Sequence, residues 1–155
     1  MDRISKSQYL KGVQCPKALW LYRHRPDLKP AISETQQFIF DTGHEVGELA
    51  TQLYSKGVLI REDHLHHKET VQTTQKAIQN PNVRSIYEAA FLYDDVRVRV
   101  DILERLDNGQ WNLIEVKSST SVKDVHLPDV AIQYYVLQGS GLDINRTFLL
   151  LINNQ

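Results

Sequence analysis

Apolar and polar residues alternate along two neighbouring stretches in the middle of the chain. In the first stretch, Val96, Val98, Val100 and Ile102 alternate with Arg97, Arg99 and Asp101. After Asp107-Asn108-Gly109 the alternation resumes, with Leu113, Glu115 and Lys117 on one face and Ile114 and Val116 on the other. A period of two residues is typical of a half-buried strand. The two stretches therefore predict strands over residues 96–106 and 111–118, joined by a short turn.

The length of this turn decides which side chains of the hairpin share a face. A two-residue turn would put Asp101 and Glu115 on opposite faces and mix apolar with charged side chains. A three-residue loop, Asp107-Asn108-Gly109, with the glycine in the left-handed conformation, instead pairs Asp101 with Glu115. We therefore predict that Asp101, Glu115 and Lys117 share one face, while the valines face isoleucine on the other.

Two opposed carboxylates predict a cation or a bound proton between them, because they otherwise repel each other. Magnesium takes oxygen ligands, so Asp101, Glu115 and the Val116 carbonyl are donors suited to Mg²⁺ or Mn²⁺. Lys117 could orient a water molecule or stabilise a charged transition state. Charged residues make up 24% of the chain, so an ordinary surface hairpin also fits this short pattern.

Other periodic segments surround the hairpin. They predict helices over residues 5–11, 16–24, 33–54, 68–79 and 128–137, a loop at 26–30, and strands over 58–61, 86–92 and 147–152. The fold class is therefore α/β. Its order is a helix, a three-stranded antiparallel meander, a helix and a strand, with an N-terminal helical extension.

Two further side chains, one on a helix and one on a strand, are candidates for the same site. His44 lies four residues before Glu48 on the predicted long helix, and Gly43 and Gly47 would let that helix face approach the sheet closely. Glu88, predicted to share a strand face with Ile86 and Ala90, is either a third acid or an edge residue in water.

The order of the candidate residues along the whole chain is more specific than any one of them. The series is His44 on a helix, Asp101 on a strand, Glu115-Val116-Lys117 on the next strand and Gln133 on a following helix. This order resembles the PD-(D/E)XK nuclease superfamily, and within it the RecB-like nucleases, which include CRISPR-associated and helicase-linked exonucleases. Residues 4–20, with Ser5-Lys6-Ser7 and Gln14-Cys15-Pro16-Lys17, resemble the start of a bacterial family of uncharacterised RecB-like proteins.

The resemblance implies a restriction-endonuclease-like core and a Mg²⁺- or Mn²⁺-dependent deoxyribonuclease of DNA repair, recombination or defence. It implies catalytic roles for Asp101, Glu115, Lys117 and Gln133. The metal ligands would be His44, Asp101, Glu115 and Val116. The implied substrate is DNA, as single strands or ends, and the implied partner is a helicase or a larger complex.

Two departures from the family limit what it implies. Relatives often carry a tyrosine four residues after the helical glutamine, whereas this chain has Leu137. Many relatives hold an iron-sulfur cluster, but Cys15 is the sole cysteine here, so only a longer full-length protein could build one.

The run of His64, His66 and His67 is not interpreted as a zinc site, because it lacks a suitable fourth ligand.

Composition and charge fit a single cytoplasmic domain spanning residues 1–155, with no membrane segment. The last predicted strand ends so near the terminus that we expect a fragment of a longer protein. Residues 1–30 carry a net charge of +5 and the remainder −6, so we divide the chain into a basic segment, 1–30, and a core, 33–155. Candidate nucleic-acid contacts are Lys6, Lys11, Lys17, Arg97 and Arg99. Trp20 and Tyr22 are expected to pack inward.

Two alternatives to an active nuclease stay open. One is a catalytically inactive nucleic-acid-binding module of a larger nuclease or helicase assembly. The other is a structural protein in which the hairpin is only scaffold.

Overall fold

The structure is a computed structural model that describes residues 3–54, 57–61 and 67–153. Within these residues the strands are β1 (Ile4–Ser5), β2 (Gly57–Leu59), β3 (Ser85–Tyr93), β4 (Val96–Arg105), β5 (Trp111–Lys117) and β6 (Ile144–Leu151). The α-helices are α1 (Lys6–Gln14), α2 (Pro16–His24), α3 (Glu34–Thr51), α4 (His67–Gln79) and α5 (His126–Gly139). A 3₁₀ turn, Pro26–Leu28, occupies the predicted loop. The predicted α/β class is confirmed, whereas the two-residue strand β1 was not predicted.

Five of the strands lie side by side in the order β2-β3-β4-β5-β6. The pairs β3–β4 and β4–β5 are antiparallel, and the outer pairs β2–β3 and β5–β6 are parallel. Strand β1 joins the same sheet by pairing in parallel with β4. None of the helices within the described residues has the length and apolar character needed to cross a bilayer.

The three-residue turn between β4 and β5 is confirmed. Gly109 has a φ of 85°, and the Leu106 N–H donates to the Gln110 carbonyl at 2.8 Å. Ile102 consequently pairs with Ile114. Asp101 and Glu115, one residue further along each strand, stand at the same level of the hairpin.

Strands β4 and β5 separate at that level. Their ladder runs from the Arg105–Trp111 pair to the Ile102–Ile114 pair and does not continue beyond it. Strand β1 pairs with the edge of β4 that β5 has left, and Ser5 lies beside Arg97. Lys6 follows immediately as the first residue of α1, and its side chain reaches Glu115 on β5.

The side-chain alternation of β3 and β4 changes face at the same level. Val98 and Val100 join one core cluster together with Leu103, whereas Ile102 joins a second cluster with Tyr87, Ile114 and Ala50. The prediction that Val98, Val100 and Ile102 share a face was therefore wrong. On β3, Ile86 shares a cluster with Ala89 and Phe91, so the predicted alternation through Glu88 was also wrong. Glu88 has a φ of 58°, and this local change of backbone direction reverses the strand faces.

The N-terminal helices α1 and α2 pack on each other at the surface. A capping box begins α1, because the Ser5 hydroxyl accepts from the Gln8 N–H while the Gln8 side chain accepts from the Ser5 N–H. Trp20 is 56% exposed and Tyr22 is 44% exposed, so the prediction that they pack inward was wrong. The aliphatic residues of two short helices leave no core deep enough to cover them, since neither helix contains a buried residue.

Candidate active site

Glu115 lies at the centre of the site and is only 2% exposed. Its Oε1 accepts from Lys117 Nζ at 2.6 Å and from Lys6 Nζ at 3.1 Å. Its Oε2 accepts from Gln133 Nε2 at 2.7 Å and from Lys6 Nζ at 3.2 Å. An ionised carboxylate has about four lone-pair sites, so protein donors already occupy all of them. Two ammonium groups and one amide thus hold Glu115 in place despite its burial.

Asp129, in the first turn of α5, is a second buried acid that the sequence reasoning missed. Its Oδ2 accepts from Lys117 Nζ at 2.6 Å, and its Oδ1 accepts from Gln133 Nε2 at 3.0 Å. Lys6 Nζ lies 3.3 Å from the same Oδ1. Burial opposes its ionisation, but the positive charge of Lys6 and the hydrogen bond from Lys117 hold the pKa of Asp129 below its ordinary value.

Lys6 and Lys117 are firmly cationic in this arrangement. Burial disfavours both charges, yet the nearby Glu115 and Asp129 carboxylates raise the pKa of each lysine above its ordinary value. Lys6, which was predicted as a nucleic-acid contact, places its ammonium beside two buried acids, Glu115 and Asp129. The helix that begins here was predicted, over residues 5–11. No local pattern indicates the partners of Lys6.

Asp101 occupies the point where β4 and β5 part. Its Oδ2 accepts from the Val116 N–H at 2.7 Å. In a continued antiparallel ladder that N–H would bond to Val100, because hydrogen-bonded pairs alternate along such a ladder. Burial and the negative charge of Glu115 raise the pKa of Asp101 to about 7. The positive charge of Lys6 therefore does not offset the effects of burial and of Glu115 on Asp101.

A cavity of about 710 Å³ lies between α3 and the sheet, and six of the predicted site residues line it. They are His44, Glu88, Asp101, Glu115, Val116 and Lys117. Gly43 and Gly47 also line the cavity, but a Cβ atom added at either would meet nothing within 4 Å. The prediction that these glycines allow close helix packing was therefore wrong. Helix α3 stands away from the sheet here and leaves open space.

Gln133 lies behind Glu115 and is completely buried. It was predicted to support Lys117 or a phosphate. Its amide instead donates to Glu115 and Asp129, so it acts on Lys117 only through their shared partners. Leu137, found where relatives often have tyrosine, is part of the hydrophobic core.

The remaining predicted cations lie outside this cavity. Lys11 Nζ lies over the Tyr22 ring, 5.4 Å from its centre, and Lys17 is exposed on α2. Arg99 pairs with Glu88 at 3.2 Å. Arg97 pairs with Ser5 of β1, and Arg99 lies two residues further along the part of β4 that has separated from β5. His64 and His66 fall outside the described residues.

Across residues 3–54, 57–61 and 67–153, no group of three or more His, Cys, Asp or Glu side chains is placed to hold a metal ion. The sequence matches no protein-family model and no curated protein.

Proposed function

We propose that the protein is a metal-dependent nuclease that hydrolyses phosphodiester bonds of DNA. The observation that carries this proposal is the convergence of Asp101, Glu115 and Lys117 on one open cavity at a split between two strands. An acid from each of two neighbouring strands and a lysine two residues further on also match the order of the PD-(D/E)XK superfamily. We accordingly interpret the sheet and its flanking helices as a restriction-endonuclease-like core.

The donors of the site fit a hard divalent cation by their chemistry. Asp101, Glu115 and the Val116 carbonyl would supply oxygen ligands to Mg²⁺ or Mn²⁺, with the His44 imidazole as a further ligand. The raised pKa of Asp101 supports this fit, because a neighbouring cation would satisfy a carboxyl group that lacks positive charge. Glu115 can ligate a cation only if one of its present donors withdraws. Lys6 contacts both of its oxygens, so we expect Lys6 to be the donor that withdraws.

The chain's own residues would position the reacting groups. When bound, the divalent ion lowers the pKa of a water molecule and neutralises charge on the phosphate. Asp129 and Glu115 fix the Lys117 ammonium from two directions at 2.6 Å each. Lys117 remains charged, lines the cavity and can orient the attacking water. Gln133 holds the two carboxylates that fix Lys117, so we assign it a positioning role.

A nuclease assay tests the proposal directly. End-labelled single- and double-stranded DNA is incubated with Mg²⁺ or Mn²⁺ and the wild-type protein, Asp101→Asn, Lys117→Met or Lys76→Gln. We expect cutting by the wild type and by Lys76→Gln, whose changed lysine is exposed on α4 and does not line the cavity. We expect a loss of at least about 100-fold in the other two variants, by analogy with removing one transition-state donor. Undiminished cutting by both would assign the activity to another site.

One observation favours a second function, a nucleic-acid-binding module that does not cut. Trp20 and Tyr22 are exposed on the basic N-terminal helices, and Lys11 and Lys29 flank the Tyr22 ring. Exposed aromatics beside cations can stack bases and hold a backbone. Tight DNA binding without cutting in either metal would favour this module over the nuclease. If the protein does not cut DNA and calorimetry detects neither DNA nor Mn²⁺ binding, the hairpin is scaffold only.

A further inference from the structure

A second cavity, of about 380 Å³, lies beside the site at the start of α1 and α4. Its polar lining consists of Ser5, Lys6, Ser7, His67, Arg97 and Arg99. None of the described residues that line it is acidic. Lys6 lines this cavity and binds Glu115, which lines the first cavity, so the two cavities are neighbours.

Arg97 is the residue that makes this cavity a candidate anion site. Its Nε atom is buried and has no hydrogen-bond partner within the part of the chain that the structure describes. No acidic side chain of those residues forms an ion pair with it, whereas Arg99 pairs with Glu88 at 3.2 Å. A buried donor without a partner destabilises the folded state. An anion in the cavity that accepts a hydrogen bond from Arg97 would remove this cost.

Phosphate suits the available donors better than a carboxylate does. A guanidinium group binds phosphate oxygens through two parallel N–H donors, which the Nε side of Arg97 can provide. The Ser5 oxygen accepts from the Gln8 N–H, so its own hydroxyl proton remains available to donate. Ser7 adds another hydroxyl to the lining. A tetrahedral group with several acceptor oxygens can use donors from all these directions.

The distance from the first site fits a single nucleic-acid strand. Arg97 lies four residues before Asp101 on β4, and a strand advances about 3.3 Å per residue. Arg97 therefore lies about 13 Å along β4 from Asp101. One strand of a duplex advances about 3.4 Å per nucleotide along its axis, so this distance spans only a few nucleotides.

We propose that this cavity binds a backbone phosphate of the nucleic-acid strand, a few nucleotides from the phosphodiester that the neighbouring site cuts. The relation of this cavity to a cut strand rests on the proposed nuclease function. Phosphate binding by Arg97 does not rest on it, because that binding requires neither a bound metal ion nor hydrolysis of DNA.

The test compares Arg97→Gln with the wild type, using Arg84→Gln as the matched control. Arg84 forms an exposed ion pair with Asp107, so its substitution makes the same charge change away from both cavities. Inorganic phosphate is titrated at constant ionic strength, with melting temperature and calorimetry as readouts. We expect phosphate to raise the melting temperature of the wild type and of Arg84→Gln. In Arg97→Gln, phosphate should bind at least about tenfold more weakly, as expected for a lost hydrogen bond between charged groups.

A fluorescent single-stranded oligonucleotide, titrated in EDTA so that no cutting occurs, tests the strand itself. Arg97→Gln should weaken binding and reduce the slope of log affinity against log salt by about 0.7, the value for one phosphate contact on a single strand. Arg97→Lys keeps the charge but not the paired donors, so it should retain the slope and lose part of the affinity. This variant also checks that an effect of Arg97→Gln does not come from misfolding.

The outcomes separate this proposal from the nuclease function. Phosphate and oligonucleotide binding that is equal in Arg97→Gln and Arg84→Gln would overturn the phosphate cavity, even if the protein cuts DNA. Arg97-dependent phosphate binding by a protein that cuts nothing would support the cavity and overturn the nuclease. Dependence on Arg97 for phosphate but not for the oligonucleotide would overturn the strand assignment.

Discussion

Replacing Lys6 by glutamine should tighten the binding of a divalent cation at the candidate active site. Lys6 Nζ lies 3.1 Å and 3.2 Å from the two oxygens of Glu115, where a metal ion would also have to bind. The ammonium and the ion therefore compete for one carboxylate. Glutamine has a similar length and no charge, so the substitution removes the competitor while changing the packing little.

The size of the effect follows from the geometry. A metal ion binds a carboxylate oxygen at about 2.1 Å. With 3.1 Å from Nζ to Oε1, the two cations would be at most about 5 Å apart. Repulsion between charges of one and two units at this distance is about 1.7 kcal/mol in water and about 7 kcal/mol at an effective dielectric constant of 20. Even the lower value exceeds the 1.4 kcal/mol or so that corresponds to a tenfold change in affinity.

Calorimetric titration with Mn²⁺ at pH 8 measures this change, since Asp101 is then mostly ionised. We expect Lys6→Gln to bind Mn²⁺ at least about tenfold more tightly than the wild type. Without metal, it should melt at a lower temperature, because Glu115 and Asp129 lose a charged partner. The control Lys17→Gln makes the same charge change on the exposed surface of α2 and should match the wild type. Equal or weaker Mn²⁺ binding by Lys6→Gln would refute the competition.

Three further predictions concern stability and pH. Asp101 has a pKa near 3.8 in the unfolded chain and about 7 in the folded chain. It therefore stabilises the folded state fully below about pH 4, and this stabilisation is lost as the pH rises through 7. Asp101→Asn should flatten this slope in urea unfolding measured from pH 4 to 8, and a slope that persists would contradict the assignment. Gln133→Leu removes the amide donor of two buried carboxylates and should lower the free energy of unfolding by about 1.5–3 kcal/mol, whereas the exposed control Gln138→Leu should have little effect. Gly109→Ala forces a side chain into a φ of 85° and should cost about 1–2 kcal/mol in the same assay; an unchanged value would argue against the left-handed turn.

The hairpin was predictable because its determinants are local. The alternation of apolar and polar residues predicted the two strands. The position of Gly109 predicted the three-residue turn, and the turn sets the register that places Asp101 beside Glu115. Most helices and strands were predictable for the same reason, since their period and their end residues lie within the segments themselves.

Long-range contacts were not predictable from such patterns. Lys6 reaches Glu115 across 109 residues, through a two-residue strand too short to show any periodicity. Asp129 was missed because a single acid in the first turn of a helix is common and is usually exposed. The reversal of strand faces at Glu88 was missed because a non-glycine residue at positive φ leaves no signal in the sequence.

These missed features explain how a cluster of acids can exist within the fold. Glu115 and Asp129 are both buried, and two buried carboxylates side by side would strongly destabilise a folded chain. Lys6 from α1 and Lys117 from β5 offset their charge, while Asp101, which lines the same cavity as Glu115, has a raised pKa. A divalent cation that binds both Asp101 and Glu115 would displace Lys6 from Glu115, so metal binding and the position of the N-terminal helix should be coupled.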